Sequence, residues 1–118
     1  MDTQLAPPTW VDTPQSLLIA ARNLMGEKRV AVDTESNSLH AYREQVCLIQ
    51  FSIPTTDYLV DPMALSDLSV LTELFASKQI EKVFHASEYD IICLKRDYQI
   101  EFNHLFDTMV AARILGIH

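Results

Sequence analysis

Asp33 and Glu35 stand one residue apart at the end of a short apolar run, Val30-Ala31-Val32. Side chains two apart on a strand share a face. If extended geometry persists through Thr34, the two acids therefore project together from the strand's carboxyl end. Carboxylates so placed repel unless a proton or a cation lies between them, and that end of an open α/β sheet is where ligands sit. A divalent-metal site is one reading. An acidic turn closing a buried strand is the plainer one, and the triplet alone does not choose between them. A third acid, Asp90, opens a later helix, where with Ser87 it also completes a Ser-x-x-Asp capping box. Were the first and fourth strands of the meander-and-crossover pattern neighbours, Asp90 would face the pair across the sheet edge. Three converging carboxylates suit one or two hard cations such as Mg²⁺ or Mn²⁺.

Other chemistries are excluded by composition. The chain has two glycines, Gly26 and Gly116, so it holds neither a glycine-rich phosphate loop nor a dinucleotide fingerprint. It has no Gly-x-Ser-x-Gly elbow either. Chemistry here must come from carboxylates. The net charge of −7 argues against a broad electrostatic grip on nucleic acid, although acids gathered at a metal site contribute to that total. Cys47 and Cys93 sit in apolar runs and read as buried thiols of a reducing compartment, which points to the cytoplasm. No apolar run reaches the length of a membrane span, so no membrane partner is expected.

The elements that must position these acids follow from pattern. With 118 residues, 48% of them hydrophobic, the chain suffices for one core. Residues 1–12 read as an extended arm anchored by Trp10, and 13–118 as the folded domain. Thr13-Pro14 starts a helix, with Leu17, Ala21, Leu24 and Met25 on one face and Gly26 closing it. Strands are predicted at about 28–33, 46–52 and 58–60, close enough for an antiparallel meander. A helix capped by Ser66 or Asp67 follows, burying Leu68, Leu71, Leu74 and Phe75. Then come a strand over 80–84, a helix to about Tyr98 with Ile91, Leu94 and Tyr98 inward, a strand at Leu105-Phe106 and a last helix from Thr108. This order describes an α/β domain whose sheet is antiparallel on one side and parallel on the other.

Five segments in this order resemble the ribonuclease D group of DEDD 3′–5′ exonucleases. They are Val32-Asp33-Thr34-Glu35, Val46 to Phe51, Val60-Asp61-Pro62, Phe84 to Asp90, and Phe106 to Arg113. The resemblance implies a ribonuclease H-like mixed sheet, three antiparallel strands followed by two parallel ones, with flanking helices. It implies two divalent metal ions, Mg²⁺ or Mn²⁺, and hydrolysis of nucleic acid from the 3′ end to nucleoside 5′-monophosphates, with RNA the favoured substrate over DNA. By motif match Asp33, Glu35 and Asp90 are the catalytic and metal-binding residues, Glu35 also orienting the substrate terminus. Thr34, Leu39 and His40 are the candidate substrate contacts, Leu39 as an apolar wedge beneath the terminal base.

The family's third motif, a Tyr or His four residues before an Asp, has no counterpart after Asp90. Tyr98 precedes Phe102 and His104 precedes Thr108 at that spacing. Asp107 belongs to the preceding segment and is read as a helix cap. The expectation is a piece of an exonuclease domain whose C-terminal helices are missing, inactive or weak alone. A homodimer through the apolar surface so uncovered is expected with it. A non-catalytic nucleic-acid- or protein-binding module on the same fold is the alternative. His85 reads as a packed, hydrogen-bonded histidine rather than a ligand. Lys82, Lys95 and Arg96 read as solvated charges.

Overall fold

The computed structural model describes residues 6–37, 45–85 and 88–116. The elements are β1 (Thr9–Val11), α1 (Pro14–Met25), β2 (Arg29–Asn37), β3 (Gln45–Ile53), β4 (Thr56–Val60), α2 (Ser69–Ala76), β5 (Glu81–Phe84), α3 (Glu88–Tyr98), β6 (Leu105–Asp107) and α4 (Thr108–Ile114). They form a six-stranded mixed sheet in the order β1-β4-β3-β2-β5-β6. β2, β3 and β4 are the predicted antiparallel meander, and β5 and β6 run parallel to β2.

The arm differs from expectation. Thr9–Val11 adds a parallel edge strand to β4, with Trp10 opposite Leu59 and Val11 opposite Val60. Val11 anchors it, wholly buried, while Trp10 is half exposed and donates from its indole to Asp12. The sequence emphasised the larger side chain, but strand alternation turned the smaller one inward.

Helix α1 begins as its sequence demands. Thr13 Oγ1 accepts from Ser16 N at 3.1 Å, Ser16 Oγ accepts from Thr13 N at 3.1 Å, and Pro14 occupies the first turn. Its buried face is Leu17, Ala20, Ala21 and Leu24, whereas Met25 is largely exposed. Helix α2 starts later than predicted, at Ser69. Its N-cap is Leu68, with no side-chain capping bond, rather than Ser66 or Asp67; Asp67 Oδ1 accepts from Ser69 N at 2.8 Å in the turn before the helix.

Register assigns the two faces of the sheet. Val30 and Val32 of β2, Ile49 and Phe51 of β3, Tyr58 and Val60 of β4, and Lys82 and Phe84 of β5 all share one face, and all are buried. Leu17 and Leu24 of α1, Leu71, Leu74 and Phe75 of α2, and Cys93 and Leu94 of α3 complete that core. Phe75 stacks between Phe51 and Phe102, with ring centroids 5.8 and 5.0 Å away. Each such side chain contributes roughly 1.5–3 kcal/mol on burial. The opposite face carries Ala31, Asp33, Glu35, Gln50, Leu59, Val83 and Phe106, none of which is buried. The sheet is thus covered on one side and open on the side bearing the two acids. Cys47 and Cys93 are both free thiols, but only Cys93 is buried.

Candidate active site

β2 lies between antiparallel β3 and parallel β5. Asp33 is opposite Gln50 and Glu35 opposite Leu48, so the alternation expected from sequence holds through both acids. A register shift follows directly, between Glu35 and Ser36, bending the strand just beyond the pair. Both carboxylates are exposed on the open face. Asp33 Oδ1 accepts from Thr34 N at 2.9 Å, which fixes its rotamer.

Thr34 points the other way. Its hydroxyl lies on the covered face, buried and with no hydrogen-bond partner among the described residues. Whatever Thr34 offers a ligand on the acid-bearing side comes from its main chain.

Because β5 runs parallel to β2, its carboxyl end reaches the same sheet edge, and α3 starts there. Asp90 stands in the first turn of α3, with its side chain outside the described residues, as are Leu39 and His40 altogether. Among the described residues no three His, Cys, Asp or Glu side chains cluster tightly enough to hold a metal. Asp33 and Glu35 by themselves are two carboxylates, one short of such a group. Their chemistry is that of a hard-cation site, carboxylate oxygens alone.

Asp107 is a helix cap, as its position suggested. Its Oδ1 accepts from Met109 N at 2.9 Å at the start of α4. Lys82, read from sequence as a solvated charge, is instead wholly buried and cannot reach a phosphate. Its Nζ donates to Ser77 O at 2.6 Å. Burial lowers its pKa below the ordinary lysine value. Arg96 is tied to Asp97 through two hydrogen bonds of 2.8 and 3.1 Å. His85 is hydrogen-bonded, its Nδ1 lying 2.6 Å from Thr108 Oγ1, but it is exposed rather than packed.

This arrangement has known counterparts. A family described as 3′-5′ exonuclease matches residues 8–118. The chain belongs to this 3′–5′ exonuclease family. Among its relatives, the exosome complex exonuclease RRP6 of Saccharomyces cerevisiae is 40% identical over 111 residues, covering 93% of this chain and 15% of that protein. The catalytic core of RRP6 from Trypanosoma brucei matches with a TM-score of 0.94 and 30% identity, covering 100% of this chain and 33% of that one. Escherichia coli RNase D, an exoribonuclease involved in structured RNA processing, shares the exonuclease fold at a TM-score of 0.89 and 24% identity, over 96% of this chain and 30% of its own. The ribonuclease H-like sheet expected from the motifs is the one found. The chain spans about 15% of the yeast relative's length.

Proposed function

We propose that this chain carries the first two acidic motifs of an RNA-directed 3′–5′ exonuclease and binds Mg²⁺ or Mn²⁺ through Asp33, Glu35 and Asp90. One observation carries the reading. Asp33 and Glu35 share the open face at the carboxyl end of β2, and α3, bearing Asp90 in its first turn, starts where the neighbouring parallel strand ends.

The family generally uses two divalent cations, which Asp33, Glu35 and Asp90 would hold here and which would supply charge to lower the pKa of a water and to offset a departing 3′ oxygen. The chain's own residues set the stage for this. Asp33, held by the Thr34 amide, presents its free oxygen outward. Glu35, without a hydrogen bond or ion pair among the described residues, has both oxygens available to cation and substrate terminus. In this reading Leu39 and His40 meet the terminal nucleotide, and Thr34 lends only main-chain groups. RNA as substrate is supported by kinship with RRP6 and by a fold shared with an exoribonuclease.

After Asp90 the chain has no Tyr or His four residues before an acid. Turnover by these residues alone is therefore expected to be weak or nil, and metal-dependent RNA binding is the primary readout. The test is a titration of a single-stranded RNA oligomer against the chain with and without Mn²⁺. Metal-dependent binding that Asp33→Asn abolishes supports the exonuclease reading. Binding indifferent to both metal and Asp33→Asn favours a non-catalytic module.

A further inference from the structure

We infer that the helical side of the molecule docks a basic segment of a partner protein that carries an apolar anchor. Helices α1 and α2 cover the face of the sheet opposite Asp33 and Glu35, and a groove of about 250 Å³ lies between their N-terminal ends. Pro14, Leu17 and Leu18 of α1 line it together with Leu65, Asp67 and Val70. Leu17 and Leu65 are buried, so the floor is closed and apolar, whereas Leu18 is 52% exposed. Met63, next to the lining residue Ala64, is 60% exposed. Large aliphatic side chains left uncovered around a concave, polar-rimmed site mark an interaction surface.

Charge selects the occupant. No lysine or arginine occurs in residues 1–21 or 45–77, the two stretches that supply the whole lining. The second stretch instead holds Asp57, Asp61, Asp67 and Glu73. Basic residues resume only at Arg22, in the last turn of α1, and at Lys78, beyond α2. Asp67 is exposed, and hydrogen bonding from Ser69 holds its carboxyl below the ordinary aspartate range, so it stays charged. Glu73 follows Ser69 and Val70 by four and three residues, which sets it on the same face of α2. It too is exposed.

Such a rim repels the phosphates of nucleic acid and attracts lysine and arginine. The apolar floor takes an aliphatic or aromatic side chain. The fitting ligand is therefore a peptide segment whose basic residues flank one or two such anchors. A second copy of the chain, with its net charge of −7, is disfavoured on the same ground. Because the groove lies on the side away from Asp33 and Glu35, a partner seated there leaves the acid-bearing face free.

The test is fluorescence anisotropy of the native chain with three labelled peptides. One carries lysines and arginines around a Leu-Phe pair, the second has glutamates in place of the basic residues, and the third has serines in place of the pair. The first is expected to bind saturably and more weakly as salt is raised. The other two should bind at least about tenfold more weakly. Leu18→Gln, and separately Asp67→Asn with Glu73→Gln, should each weaken the first peptide about tenfold, the second variant also flattening its salt dependence. All three positions are exposed and asparagine still accepts from Ser69 N, so melting temperature and Mn²⁺ binding should match the native chain. Equal binding of the three peptides, binding of none, or an affinity that survives both variants overturns the proposal. Loss of RNA binding in Leu18→Gln, or a native dimer that this substitution dissociates, would give the groove to nucleic acid or to a second copy and overturn it as well.

Discussion

Val30 and Lys82 are register partners on the parallel ladder between β2 and β5, and both side chains are wholly buried. One is apolar. The other is an ammonium that donates to Ser77 O, just past the end of α2. Burial disfavours the charged form, so the folded chain holds this proton less tightly than the unfolded one, whose lysines titrate near ~10.4. The unfolded state binds more protons between the two values, and stability rises with pH across that window. The penalty is full below the folded value.

Lys82→Met should remove this alkaline gain in stability while leaving the melting temperature near neutral pH within a few degrees. The thioether keeps the buried stem, and the loss of the Ser77 hydrogen bond is offset by relief of a buried charge. Lys82→Ala should cost about 2–4 kcal/mol through the cavity it leaves. Tyr98 acts in the opposite sense, because burial raises its pKa and stability then falls as pH climbs from about 10 towards the folded value. The comparison of native and Met variants by thermal denaturation at a series of pH values isolates Lys82. An identical pH profile in both would refute the assignment.

Thr34→Val should stabilise the fold by about 1 kcal/mol, since the Thr34 hydroxyl is buried without a partner among the described residues and valine has the same shape. Mn²⁺ affinity should not change, because that hydroxyl lies on the face opposite Asp33 and Glu35. Urea denaturation and calorimetric titration read the two effects separately. A fall in metal affinity would show that the hydroxyl reaches the acid-bearing side.

Asp33→Asn should abolish saturable Mn²⁺ binding measured by calorimetry and leave the fold intact, since Asp33 is exposed and asparagine still accepts from the Thr34 amide. Saturable binding with native affinity in this variant would remove Asp33 from the metal site.

The open sheet face carries Ala31, Leu59, Val83 and Phe106 together, and Phe106 is 44% exposed. Apolar surface of this kind is buried by association, and we propose that this chain self-associates through it. Light scattering should show a dimer or larger species that Phe106→Glu shifts towards monomer. A monodisperse monomer at high concentration would contradict the proposal.

Local rules were enough to read much of this chain. The helix start at Thr13-Pro14 depends on hydrogen bonds within four residues, and it forms as the sequence implied. The shared face of Asp33 and Glu35 depends only on the two-residue period of one strand. The Asp107 cap is equally local. What a side chain meets across the sheet is another matter, because strand neighbours are distant in sequence. Lys82 looks like any solvated lysine until β5 sets it beside buried Val30 and its ammonium reaches Ser77 O. Val11 outranks Trp10 as an anchor only once β1 pairs with β4, and His85 acquires a direction only from Thr108, which β6 and α4 bring to the end of β5. Local periodicity thus determined the elements and the acidic pair. The long-range ladders alone decided which faces were covered, because burial belongs to neighbours and not to a residue's own stretch of chain.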